Sequence, residues 1–264
     1  MSGKSREGII LSLVNNKGGV GKTTTAVNLA ACLAERDLRI LLVDLDAQGS
    51  ASFSLGLTRS DIFPGTAEVI LDEMDPLEAI RKTYIEGLDI MPGSVNLASA
   101  DVNLANTDDR EITLRKALER VLSGYDYIIV DCPPSLGLLS VNAITASDYL
   151  LVTVTPEYLG FEGLINLMEA VQLVREGIGQ AGSMLGIILT MVDGRQRTTR
   201  IIKKEIRRQF EDMVFKNEIK MNVRLKEAPS LGKAIKDFDR NCTGSRNYNN
   251  LAKEILYRIR ERRN

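Results

Sequence analysis

An apolar run, Ile9-Ile10-Leu11-Ser12-Leu13-Val14, leads directly into Asn15-Asn16-Lys17-Gly18-Gly19-Val20-Gly21-Lys22-Thr23. A buried strand that feeds a glycine-rich loop, with a helix behind it, is the layout of a phosphate-binding loop. Backbone N–H groups wrap the phosphates, and the helix adds the positive end of its dipole. Gly18, Gly19 and Gly21 are expected to let the backbone approach phosphate oxygens and to take φ values closed to other residues, with Val20 between them. Lys22 is placed to reach the β- and γ-phosphates, and the Thr23 hydroxyl to ligate Mg²⁺. Thr24 follows in the first turn of a helix near 22–35.

The common pattern G-x-x-x-x-G-K-[ST] has glycine where this chain has Asn16. The form present is K-G-G-x-G-K-T, with a second lysine at 17. Lys17 lies upstream of the turn and need not fold back on its own nucleotide. Its position suits a finger that crosses a dimer interface to phosphates held by a partner. It suits an exposed, solvated lysine equally well.

Apolar runs near 9–14, 39–44, 88–91, 126–131, 149–154 and 184–190 read as strands. Helices are expected near 22–35, 111–122, 161–177, 198–211 and 245–261. Continuous runs such as Tyr127-Ile128-Ile129-Val130 suit strands buried on both faces. The alternation predicts an α/β fold, a doubly wound, mostly parallel sheet with helices on both faces. Residues 1–8 read as a flexible polar tail and 9–264 as one domain. Residues 56–80 and 92–110 read as weakly patterned connections.

Three carboxylates fall at strand ends, where such sheets bind ligands. Asp131 closes an apolar strand before Cys132-Pro133-Pro134. It suits a magnesium-bound water, or a plain turn or helix-capping aspartate. Asp44 and Asp46 are two residues apart and in an extended chain point the same way.

These segments together resemble the ParA/MinD ATPases. Lys17-Gly18-Gly19-Val20-Gly21-Lys22-Thr23 is similar to their deviant Walker A box. Leu41-Leu42-Val43-Asp44-Leu45-Asp46-Ala47-Gln48-Gly49-Ser50 resembles the second box, and Tyr125 to Ser135 resembles Walker B. Asn222-Val223-Arg224-Leu225-Lys226-Glu227-Ala228-Pro229-Ser230 resembles a segment of the ParA/Soj branch. The likeness runs from about residue 9 to the C-terminus. Asn16 and Ala47 stand where the branch usually has Gln and Pro, and Lys220-Met221 replaces a common Pro-Arg.

The resemblance implies an ATPase that uses ATP and Mg²⁺ and hydrolyses slowly without a stimulating partner. It implies Thr23, Asp44 and Asp131 around the metal, and Asp46 positioning the attacking water. Lys17, Lys22 and Asp46 would carry catalysis, and Thr24, Met191 and Asn222 would border the nucleotide. It further implies a homodimer in the ATP state, nonspecific double-stranded DNA and a ParB-type centromere-binding partner. The implied location is the cytoplasm, associated with the nucleoid.

Charge is distributed unevenly. Residues 193–264 hold 20 Lys+Arg against 10 Asp+Glu, whereas the rest of the chain holds 14 against 25. That split suits a basic face for a polyanion, or ordinary solvated helix surface. In the stretch 193–208, Ile201, Ile202 and Ile206 fit one apolar stripe that leaves Arg197, Arg200, Lys203 and Lys204 outward. Arg195 and Arg224 stand where ParA relatives place DNA-contacting arginines. With 5% aromatics and no helix-turn-helix signature, phosphate contacts rather than base reading are expected.

Other classes find less support. The absence of histidine excludes His-based triads. The odd set Cys32, Cys132 and Cys242 fits free, buried thiols in a reducing compartment. A MinD-like membrane ATPase would use the C-terminal helix, but its stripe Leu251, Ile255, Ile259 is narrow and lacks Phe or Trp. A P-loop metabolic ligase or kinase is the third reading, and the basic C-terminal third counts against it.

Overall fold

The computed structural model describes residues 8–105 and 107–263. Its strands are β1 (Ile9–Val14), β2 (Ile40–Asp44), β3 (Arg81–Lys82), β4 (Leu88–Met91), β5 (Tyr127–Asp131), β6 (Tyr149–Val154) and β7 (Ser183–Leu189). They form one sheet in the order β3-β4-β2-β5-β1-β6-β7, parallel except where β3 pairs with β4. The helices are α1 (Lys22–Ala34), α2 (Ser50–Ser54), α3 (Thr66–Leu71), α4 (Pro76–Ala79), α5 (Ala100–Asn103) and α6 (Thr113–Glu119). They continue as α7 (Leu138–Ala146), α8 (Tyr158–Ile178), α9 (Arg197–Phe210), α10 (Arg224–Glu227), α11 (Ile235–Phe238) and α12 (Thr243–Arg263).

The parallel strands are apolar at successive positions because both faces of the sheet are covered. Along β1, Ile10 and Val14 join a core on one face, and Ile9, Leu11 and Leu13 join a core on the other. The first core holds α3, α6, α7 and α8, and the second holds α1, α11 and α12. The doubly wound expectation is thus met. The period of two also assigns faces at the strand ends. Ile40 and Leu42 in β2 and Ile129 in β5 face α1, so Asp44 and Asp131 share that side by parity.

Helix α1 is buried around nearly its whole circumference. It lies between the sheet and α12, whose Leu251, Ala252, Ile255 and Ile259 are all but inaccessible. The C-terminal stripe seen in the sequence is therefore part of the core.

Several expectations need correction. The tail expected at 1–8 lies outside the described residues apart from Gly8, and Gly8 is buried. A Cβ at Gly8 would lie 2.6 Å from the Tyr125 carbonyl oxygen, so that position already belongs to the packed structure. The connections at 56–80 and 92–110 carry α3, α4 and α5. On α9, Ile206 and Thr199 are buried, but Ile201 is 56% exposed and lies among the basic residues. The buried line runs through Thr199, Ile202 and Ile206, since 3.6 residues per turn carry Ile201 off it.

Candidate nucleotide and metal site

The loop after β1 is held from two neighbouring strands. The Asn15 side-chain amide donates to the Thr153 carbonyl at the end of β6 (2.6 Å) and its oxygen accepts from Lys17 N (2.8 Å). The Thr190 hydroxyl, just beyond β7, donates to the Val20 carbonyl (2.8 Å). Gly19 and Gly21 have φ of 72° and 82°, a region other residues enter at a cost. Gly18 differs from expectation. Its φ is not positive, and a Cβ there would meet only Pro134, at 3.8 Å.

Lys22 opens α1 and is 6% exposed. Its Nζ donates to the Lys17 carbonyl across the loop (3.1 Å). Burial lowers its pKa, and the charges of Asp131, Cys132 and Asp46 oppose that shift. An ammonium in this position has unused donors and points into the concavity of the loop's own backbone. Thr23 and Thr24 occupy the same first turn and are half-buried.

Asp44 and Asp131 are register partners at the ends of β2 and β5, both at 0% exposure. Asp44 is fully engaged. Its Oδ2 accepts from the Ser52 hydroxyl (2.7 Å) and Ser52 N (2.9 Å), and its Oδ1 accepts from Asp46 N (3.3 Å). Asp131 is not: neither carboxylate oxygen has a hydrogen-bond partner of good geometry among the described residues, and the Thr23 hydroxyl approaches only as a long or misaligned donor. Its pKa is pushed well up, first by burial and next by the Asp44 charge, with Thr23 and Lys22 pulling the other way. Burial likewise raises Asp44, against the hydrogen bonds from Ser52.

A buried carboxylate with idle oxygens beside a threonine hydroxyl fits a hard, oxygen-seeking cation that keeps water and phosphate in its shell. Among the described residues, no group of three or more His, Cys, Asp or Glu side chains is arranged to hold a metal ion by itself. The set therefore suits Mg²⁺ completed by phosphate oxygens better than an all-protein cage.

Asp46 lies past the last residue of β2, in a turn closed by Gly49 N to Asp46 O (2.9 Å). Its carboxylate accepts from Gln48 N (3.0 Å). Asp46 thus lies beyond the extended segment, and its charge still acts on Asp44, Asp131 and Lys22. Gly93 packs against this turn, where a Cβ would sit 2.6 Å from the Asp46 carbonyl oxygen and 2.8 Å from Asp44 Oδ1.

Met191 and Asn222 come together in the fold. With Gly21, Thr24, Thr190 and Tyr248 they line a pocket beside the start of α1. Met191 adopts φ 51°, an uncommon conformation for its type. Lys220 and Met221, the departure from the branch, lie on the same wall. Lys17 is partly exposed, with its Nζ 3.8 Å from Glu157 at the start of α8.

The six basic candidates divide. Arg195 grips Asp193 through two bonds of 2.9 Å. Lys203 bonds Glu218 at 3.1 and 3.2 Å. Arg224 bonds Glu227 at 2.9 Å and lies 6.0 Å from the Phe238 ring. Arg197, Arg200 and Lys204 are exposed on α9.

Asn15, Ser52, Gly93, Glu157 and Thr190 escaped the sequence reading. Ser52, Gly93, Glu157 and Thr190 act through partners 8 to 170 positions away, and Asn15 through Thr153 as well as the nearby Lys17 N, so local pattern carries little signal for them.

The match to known proteins agrees with this geometry. A family model described as an AAA domain matches residues 8–182. The sporulation initiation inhibitor protein Soj of Bacillus subtilis (strain 168) is 45% identical over 248 residues, covering 94% of this chain and 98% of that protein. The chromosome partitioning protein ParA of Myxococcus xanthus (strain DK1622) is 42% identical over 95% of this chain and 89% of its own length. Among solved structures, cobyrinic acid a,c-diamide synthase from Mycobacterium smegmatis with bound ADP and magnesium superposes with a TM-score of 0.83 at 30% identity, over 96% of this chain and 95% of that one. Identity above 40% across nearly the whole of both sequences marks common descent, and this chain belongs to the Soj/ParA family of chromosome-partitioning ATPases.

Proposed function

We propose that the chain is a partition ATPase that couples ATP hydrolysis to reversible dimerisation and nonspecific DNA binding. The observation that carries the reading is the buried, unpartnered Asp131 carboxylate beside Asp44, at the strand ends next to Lys22. Loop N–H groups from Gly18 to Lys22 and the Lys22 ammonium hold the phosphates. Thr23 and Asp131 hold Mg²⁺ and its waters, with Asp44 as a fixed neighbouring charge. Bound there, Mg²⁺ supplies neutralisation of the β- and γ-phosphate charge. Asp46 orients the attacking water. Phosphoryl transfer needs mostly positioning and charge compensation, so a carboxylate near in-line water suffices.

Lys17 crosses to phosphates held by a second copy, which makes pairing conditional on ATP. Two paired basic faces bind DNA far better than one, so DNA affinity follows nucleotide state. A ParB-type partner stimulates hydrolysis and returns the chain to the free pool. Nucleoid association follows from the same cycle.

DNA binding measured with ADP, ATP and a non-hydrolysable analogue across a salt series tests this reading. Retention with ATP and the analogue, loss with ADP and a steep salt dependence are expected. Equal binding in all three states overturns it. Two competitors share the assay. A MinD-like membrane role is disfavoured because Leu251, Ile255 and Ile259 are core residues of α12, and liposome co-sedimentation without DNA binding would favour it. A metabolic synthetase role draws on the likeness to the cobyrinic acid a,c-diamide synthase structure, and ATP turnover that required a carboxylic acid substrate would favour that one.

A further inference from the structure

Ser52 lies in α2, outside the loop, the metal-facing carboxylates and the turn that carries Asp46. Its hydroxyl is nonetheless buried between the Asp44 carboxylate and the Gly93 backbone that follows β4. It accepts from Gly93 N (3.1 Å) and lies 2.7 Å from Asp44 Oδ2. A backbone N–H can only donate, so Ser52 Oγ takes the acceptor role toward Gly93. The single hydroxyl proton is then committed to Asp44. Ser52 N adds a second donor to the same carboxylate oxygen (2.9 Å).

Two short bonds on Oδ2 fix the rotation of the Asp44 carboxylate. Oδ1 is left with the longer bond from Asp46 N (3.3 Å). That bond ties Asp44 to the backbone at the head of the turn. The Gly93 backbone closes the other side, leaving no room for a side chain there. A chain of contacts thus runs from the end of β4 through Ser52 and Asp44 to the residue proposed to aim the water.

We infer that Ser52 is a positioning residue for ATP hydrolysis: it acts through Asp44 on the placement of Asp46. The inference rests on the ATPase reading above. It separates binding from turnover. The phosphate loop hangs from β1, β6 and β7 through Asn15 and Thr190, and none of those bonds passes through Ser52. Loss of the hydroxyl should therefore loosen the hydrolytic turn and leave nucleotide affinity almost untouched.

The test compares full-length wild type, Ser52→Ala and Ser52→Thr in steady-state ATPase assays, binding of a fluorescent N-methylanthraniloyl ATP, and thermal melts. Ser52→Ala is expected to lower kcat about tenfold, the loss typical of a hydrogen bond to a charged group, with affinity for the fluorescent ATP changed by about twofold or less. Ser52→Thr keeps the hydroxyl and is expected to retain turnover within about threefold of wild type. Ser52→Ala turning over as fast as an active wild type overturns this inference alone. Equal losses of affinity and turnover in both variants, with lowered melting points, also overturn it, because they mark a structural role. A wild-type chain without ATP turnover sinks the ATPase reading and this inference together.

Discussion

Asp44 and Asp131 stand opposite one another in the parallel pairing of β2 with β5, with no exposed surface on either. Burial raises both pKa values, Asp44 from 3.8 to about 6 and Asp131 well above its ordinary range. An acid whose folded value lies above its unfolded value binds more protons when folded. Its contribution to stability therefore falls as pH rises through the window between the two values. Asp131→Asn removes one of the charges. Without metal, this variant is expected to melt about 3 °C or more above wild type at pH 8, with a smaller gain at pH 5.5. Magnesium with ADP should reverse that order, because the wild-type carboxylate then has a cation to face. Fluorescence-detected melts at the two pH values, with and without Mg-ADP, check all three expectations. A metal-free variant less stable than wild type at pH 8 contradicts the account.

Lys17 meets Glu157 at 3.8 Å, with both side chains substantially exposed. An exposed pair of this kind contributes about 1 kcal/mol at most and gives way readily to a better partner. Lys17→Ala should fold normally, with stability within about 0.5 kcal/mol of wild type. In an Asp46→Ala background, which is expected to stall hydrolysis, ATP should produce dimers with Lys17 present and monomers with Lys17→Ala. Light scattering with ATP reads the difference. Stable dimers in the doubly substituted chain would remove Lys17 from the interface.

The three cysteines should differ in reactivity. Burial pushes the Cys32 thiol up to about 11, and Cys132, beside Asp131, is raised further. Cys242 is only half-buried, and its sulfur accepts from Ser245 N (3.3 Å). The thiolate is the reactive form, so at pH 8 Cys32 presents about one part in a thousand of it. Mass spectrometry after brief iodoacetamide treatment should find Cys242 modified first. Modification of Cys32 ahead of Cys242 would mean that the core opens around α1.

Continuous apolar runs made the parallel strands readable, because burial on both faces leaves no alternation to confuse. The loop was readable because glycines and lysines mark it residue by residue. α7 was not. Its Asn142 accepts from Leu114 N (3.0 Å) and donates to the Arg110 carbonyl (2.7 Å), while Thr145 donates to the Glu111 carbonyl (2.6 Å). Buried polar side chains that tie a helix to a neighbouring segment erase the apolar stripe on which periodicity depends. β3 was missed because two charged residues, Arg81 and Lys82, form the whole edge strand. Ser52 and Gly93 matter through contacts 8 and 41 positions away in sequence, which only the folded chain brings together. The stripe on α9 was misassigned at Ile201 because three isoleucines within six positions fit more than one helical face.

Arg197, Arg200 and Lys204 are exposed on α9, with Ile201 beside them. Lys203 instead holds Glu218, which also lies 3.8 Å from Arg207. A phosphate can recruit the exposed cations without breaking an internal bond, whereas engaging Lys203 leaves Glu218 with a weaker partner. Arg200→Gln and Lys204→Gln should each weaken ATP-dependent DNA binding about equally on unrelated sequences. Each should lower the slope of log affinity against log salt by about 1, as expected when one phosphate contact is lost. Lys203→Gln should change that slope by much less and should instead reduce stability, by roughly 1 kcal/mol for a partly buried pair. Fluorescence anisotropy on two duplexes of different sequence, measured from low to high salt, separates the cases. A slope that falls for Lys203→Gln but not for Arg200→Gln would place the DNA on the other side of α9 and require the Glu218 bonds to break on binding.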